Sequence, residues 1–113
     1  MIKIYHNPRC SKSRQGLAVL EKSGKEFQTI TYLKDQITKQ ELTSILVKLD
    51  IEPIDLIRKN EAIWKENYKG KPLSNSEIID AMVQNPKLIE RPIVLNNEKA
   101  VIGRPLENID TIL

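Results

Sequence analysis

The side chains best suited to chemistry in this 113-residue chain are one thiol, Cys10, one imidazole, His6, and the arginines Arg9, Arg14, Arg58, Arg91 and Arg104. Arg9-Cys10-Ser11-Lys12-Ser13-Arg14 offers the thiol no apolar neighbour to bury it, and three nearby cations favour its anion. A free cysteine ionises near pH 8.5, and a helix N-terminus with adjacent positive charge lowers that value by about one to several units. Cys10-Ser11-Lys12-Ser13 has C-x-x-C spacing with serine in the resolving position. A dithiol cycle within the chain is therefore excluded, and an external thiol must complete any reaction that Cys10 begins. His6, four positions earlier, is expected to order the cysteine loop and help hold the thiolate. Arginine suits a tetrahedral oxyanion because its planar fork donates paired hydrogen bonds and its charge is permanent. Arg91 and Arg104 each stand immediately before a proline, and Arg58 lies in the middle of the chain.

The elements that must position these groups are legible in the pattern. Ile2 to Tyr5 alternates as a strand and meets the turn Asn7-Pro8, and a helix then runs from Ser11, burying Leu17, Ala18, Val19 and Leu20, to the stop Ser23-Gly24. Phe27 to Tyr32 is a second strand, parallel to the first across that helix. Two capping boxes, Thr38 to Glu41 and Ser74 to Glu77, open helices. Pro53 is expected to end the first of these, with one or two short helices between Ile54 and Tyr68. A hairpin follows, with strands Pro92 to Leu95 and Ala100 to Ile102 around the turn Asn96-Asn97-Glu98, and a last short helix reaches Leu113.

The order βαβ, helical insertion at about 38–85, ββα makes residues 1–113 one α/β domain that resembles the thioredoxin fold, which keeps an active-site cysteine after its first strand. In that layout the loop before the third strand faces the cysteine. Arg91 should therefore approach Cys10, and Arg91-Pro92 should be a cis peptide.

Composition narrows the function. A net charge of +3 from 18 cations and 15 anions is too even to imply a polyanion partner, and 4% aromatic residues leave little for stacking nucleic-acid bases. Apolar runs of four residues or fewer fall far short of the roughly 20 needed to cross a membrane. One cysteine allows neither an internal disulfide nor a multi-cysteine zinc site. The expectation is a cytoplasmic monomer with no bound metal or cofactor and no nucleic-acid or membrane partner.

Four segments taken in order, Tyr5 to Arg14, Leu56-Ile57-Arg58-Lys59-Asn60, Arg91-Pro92-Ile93-Val94 and Gly103-Arg104-Pro105, resemble the signatures of the glutaredoxin-coupled arsenate reductases, the ArsC-like proteins. The resemblance implies that Cys10 attacks arsenate while Arg58, Arg91 and Arg104 hold the oxyanion, and that His6, Ser13 and Arg14 shape the cysteine loop. It also implies glutathione as co-substrate, glutaredoxin as the partner that resolves the mixed disulfide, and arsenite as product. The cysteine loop here is more basic than is usual in those enzymes. A competing class is the Spx-type regulators, similar in fold, which bind RNA polymerase and usually carry a second cysteine; Ser13 and the intact arginine set favour the enzyme. An oxidoreductase of the same family acting on another substrate is the third reading.

Overall fold

The computed structural model describes all residues, 1–113. They group into two compact units, Met1–Asp35 with Arg91–Leu113, and Gln36–Glu90.

The first unit is built on a four-stranded sheet. β1 (Ile2–Tyr5), α1 (Ser11–Ser23), β2 (Phe27–Ile30), β3 (Ile93–Asn96) and β4 (Lys99–Ile102) give the spatial order β2-β1-β3-β4. β1 pairs parallel with β2, Tyr5 opposite Ile30, and antiparallel with β3, Tyr5 opposite Ile93. β4 continues the hairpin antiparallel to β3. This is the thioredoxin-like arrangement. Ile2, Ile4, Leu20, Val94, Ile109 and Ile112 form its buried core, and removal of such aliphatic side chains from water is the main force that holds sheet and helix together.

Several boundaries differ from the sequence pattern, each for a local reason. β2 stops at Ile30 because the Thr31 carbonyl accepts from the amides of Lys34 and Asp35, at 2.9 and 2.8 Å, and turns the chain; Tyr32 is buried beyond the strand. The hairpin turn is only Asn97-Glu98, made tight by Asn97 at φ 58°, a conformation that asparagine tolerates. The final helix, Leu106–Ile112, is of the tighter 3-10 form.

On α1 the buried residues are Ser13, Gly16 and Leu20, whereas Ala18 is exposed and Leu17 and Val19 are half-buried. Gly16 faces inward because there is no room for a side chain: a Cβ there would come 2.9 Å from Pro92 Cγ. A Cβ at Gly103 would meet the same ring atom at the same distance, and the Gly103 amide donates to the Pro92 carbonyl at 2.8 Å. Pro92 is thus held by close contact at the start of β3, where mismatched volume costs about 1–3 kcal/mol. The Arg91-Pro92 peptide is cis as expected, and so is Arg104-Pro105.

The second unit is helical. α2 (Lys39–Leu49) and α4 (Asn75–Gln84) both begin with complete capping boxes, Thr38 with Glu41 and Ser74 with Glu77. α2 ends at Leu49 because Asp50 takes the left-handed conformation, φ 56°, and its amide bonds back to Leu46 and Val47. Pro53 therefore does not terminate that helix; it opens the 3-10 turn Pro53–Leu56, where a missing amide costs nothing. α3 (Ala62–Asn67) follows, and a single antiparallel bridge, Ile57 to Ile89, ties the segment between these elements to the end of the unit.

Candidate functional site

The cysteine loop is braced almost entirely by its own residues. The His6 amide extends the sheet by donating to Ile30 O at 2.8 Å, after which the chain leaves β1. Asn7 accepts twice: its side-chain oxygen from the Arg9 amide at 3.0 Å and its carbonyl from the Cys10 amide at 3.0 Å. Ser13, fully buried, accepts from the Asn7 amide at 2.9 Å and lies 2.7 Å from His6 Nδ1. Arg14 Nη1 reaches back to the Pro8 carbonyl at 2.8 Å. His6, Ser13 and Arg14 thus all act on the loop. Asn7, which the sequence pattern marks only as a turn residue, is a fourth brace, and the Asx-turn habit of asparagine two residues before the accepted amide is the signal that could have found it.

Cys10 occupies the N-cap of α1, in extended conformation, with no side chain capping the helix. Its sulfur stands where a capping oxygen usually accepts from the second and third amides of the first turn, here those of Lys12 and Ser13. Burial acts to raise the thiol pKa, but it is outweighed by a hydrogen bond from the Arg91 side chain, the Ser13 amide, the Arg91 charge and the Lys12 amide, so the thiol lies below its ordinary value. The cation that matters is therefore not the expected trio. Arg9 and Lys12 extend into solvent, and Arg14 is engaged with Pro8. Charge comes instead from Arg91, brought to the thiol by the start of β3.

Arg104 completes the convergence. Its Nε donates to the Arg91 carbonyl at 2.7 Å, which aims Nη2 at Cys10 Sγ, 3.5 Å away. Two guanidinium groups, one from each strand at the open end of one hairpin, thus meet at one sulfur atom, a geometry suited to an anionic nucleophile and to an oxyanion beside it. Arg58 belongs to the second unit, where its Nη1 bonds to Glu61 at 2.7 Å and its Nε lies 3.7 Å from Glu90. Its backbone amide donates to Leu88 O at 2.7 Å, beside the Ile57 bridge. No cluster of three or more His, Cys, Asp or Glu side chains is assembled that could hold a metal ion, and no helix is long and apolar enough to cross a membrane.

The His6 pKa is lowered, first by burial and then by the Arg14 charge, against a backbone hydrogen bond at Ser13 that acts to raise it. A histidine kept neutral in the fold makes the unfolded chain the stronger proton binder. Stability therefore rises with pH up to the unfolded value near 6.5 and is lost as pH falls below it. Urea midpoints between about pH 7.5 and 5.5 test this, in a Cys10→Ser background so that the thiol does not titrate. The decline should disappear in a His6→Gln variant, and a midpoint independent of pH in the histidine-bearing protein would contradict the neutral imidazole.

A cysteine at the N-cap of the helix that follows β1, on a sheet of order β2-β1-β3-β4, defines a thioredoxin-like thiol protein. Residues 5–112 match the ArsC family, and the chain belongs to that family. It is 46% identical over 110 residues to the Escherichia coli protein named uncharacterized protein YfgD, covering 96% of this chain and 92% of that one. It is 43% identical to an arsenate reductase of Neisseria meningitidis, covering 99% of this chain and 97% of the relative. Among solved structures, an arsenate reductase from Vibrio cholerae superposes with a TM-score of 0.95 at 43% identity, covering 99% of this chain and 97% of that one.

Proposed function

We propose that this protein reduces arsenate to arsenite, with Cys10 as nucleophile and with glutathione and glutaredoxin as external reductants. The observation that carries the reading is the meeting of Arg91 and Arg104 at the chain's single, acidified thiol. Names borne by close relatives agree with it.

In this reading Arg91 and Arg104 donate to the arsenate oxygens and draw off negative charge as the Cys10 thiolate attacks arsenic. A sulfur–arsenic bond forms and one oxygen leaves as water, with its protons taken from solvent. Glutathione sulfur then bonds to Cys10 Sγ while the sulfur–arsenic bond breaks, its electron pair staying on arsenic, which passes from arsenic(V) to arsenic(III). In sum, arsenic acid and two thiols give arsenous acid, one mixed disulfide and one water. Glutaredoxin thiolate next attacks the mixed disulfide and frees Cys10 for another cycle. His6, Ser13 and Arg14 act through the loop they brace. The part of Arg58 in holding the oxyanion is carried by the resemblance alone. The protein would work in the cytoplasm as a monomer, with no bound cofactor or metal and no nucleic-acid or membrane partner. The arsenate reductases among the relatives favour the enzyme over the regulator.

The test is arsenite formation from arsenate by the purified protein with glutathione and glutaredoxin supplied. Turnover that requires both thiol sources is the expected result. No arsenite under those conditions, from protein whose Cys10 alkylates readily, would overturn the reading.

A further inference from the structure

Beside the cysteine loop runs a groove to which the reaction above gives no role. β1 and β2 are parallel, so the segments that follow them leave the sheet at the same end, still joined by the His6 amide to Ile30 O. One segment turns through Asn7, Pro8 and Arg9, the other through the closed turn that starts at Thr31. Between them lies the groove, lined by Asn7, Pro8, Arg9, Thr31, Leu33 and Lys34. Leu33, 44% exposed, and Pro8 give the groove its apolar surface. The cations Arg9 and Lys34 are exposed at the same groove, and neither enters an ion pair.

These features fit a ligand with an apolar body and free carboxylates, and the chain's stoichiometry adds what else it must carry. Cys10 is the only cysteine, so the sulfur that completes its redox cycle must arrive from outside, and Arg9 adjoins Cys10 in the chain. We propose that this groove seats the external reductant as a small, peptide-like thiol, its carboxylates against Arg9 and Lys34 and its sulfur directed at Cys10. The proposal rests on the reading of Cys10 as a redox thiol. In the step it serves, the ligand loses its thiol proton to solvent and its sulfur bonds to Sγ. The electron pair of the broken sulfur–arsenic bond stays with arsenic.

Glutathione disulfide tests the groove without arsenate, because the Cys10 thiolate attacks one sulfur, the mixed disulfide forms and glutathione thiolate leaves. With Arg9→Glu and Lys34→Glu together, the rate constant for this reaction should fall about tenfold or more, with Lys34→Glu alone giving a smaller loss. Reaction with neutral hydroxyethyl disulfide and with iodoacetamide should change by less than about twofold, since the thiolate and its arginines are untouched. S-methylglutathione, which cannot react, should compete with glutathione disulfide in the parent and do so about tenfold less well in the double variant, which separates docking from long-range steering. Equal loss with charged and neutral disulfides, no loss with either, or no competition by S-methylglutathione would overturn the proposal. If the charge dependence appears and arsenate is not reduced, the groove stands and the arsenate reading falls. Arsenite formation supported equally in parent and double variant at limiting glutathione would have the opposite meaning.

Discussion

Cys10→Ser abolishes turnover and leaves the fold intact. Both halves of this expected result come from the position of the residue. Cys10 sits at the N-cap of α1, half-buried, and serine is among the best N-cap residues, so the substitution keeps or strengthens the helix start. The chemistry has no such tolerance. A serine hydroxyl stays protonated beside Arg91 and Arg104, and oxygen cannot replace sulfur in the exchange that carries two electrons from paired thiols to arsenic. With no other cysteine in the chain, no second residue can take over. Arsenite formation should drop to the rate without protein, no mixed disulfide with glutathione should be found by mass, and the unfolding free energy from urea titration should stay within about 0.5 kcal/mol of the parent. Turnover above roughly one hundredth of the parent's would show that the thiol is not the nucleophile.

The second large effect is expected at Arg91, which acts on the thiolate by both hydrogen bond and charge. Arg91→Ala removes both a charge-assisted hydrogen bond and a positive charge from the thiolate, and should raise the pH midpoint of thiolate absorbance. Near neutrality that loss compounds with the loss of an oxyanion donor, so kcat/KM for arsenate should fall by on the order of a hundredfold or more. Arg91→Lys separates the two contributions. Lysine keeps the charge and much of the lowered midpoint, but it lacks the planar fork, so turnover should still fall by on the order of tenfold. Sulfate, phosphate or arsenate should protect Cys10 from alkylation in the parent and less in the lysine variant. A thiolate midpoint unmoved in Arg91→Ala would show that the helix amides alone acidify the sulfur. An Arg91→Lys protein indistinguishable from the parent in both protection and turnover would remove the oxyanion cradle.

What could be read before the structure was known follows the range of the forces involved. Capping boxes at Thr38 and Ser74, the stop at Gly24 and the alternation of Ile2 to Tyr5 involve only near neighbours in the chain, and they stand where the pattern placed them. The misread boundaries were settled by single backbone choices. Asp50 entered the left-handed region and closed α2 before Pro53 could, and the Thr31 carbonyl turned the chain before Tyr32 could extend β2. The face that α1 turns to the core was read only in part: Leu20 is buried and Leu17 and Val19 pack against the core, but Ala18 is exposed and Gly16 was missed. Periodicity weighs a residue by its hydrophobicity, and it gives no weight to Gly16, whose contribution is an absence of volume against Pro92.

By itself the sequence determined the chemical inventory: one thiol, no partner thiol within reach, a cysteine loop followed at once by a helix, and arginines set before prolines. These are properties of residue type and short spacing, and no fold can alter them. Tertiary structure alone decided which charges act. Arg9, Lys12 and Arg14 are nearest to Cys10 in the chain and do not supply its stabilising charge, because exposed side chains are screened by water and Arg14 is engaged with the Pro8 carbonyl. Arg91, and Arg104 beside it at the open end of the same hairpin, reach the sulfur because β3 pairs with β1 and with β4 and the Pro92 ring packs against Gly16 and Gly103. Arg58, read from the sequence as their equal, has Glu61 and Glu90 for partners in its own unit. Coulomb attraction and hydrogen bonding act through space over a few ångströms, and only the pairing of strands distant in sequence brings such groups that close.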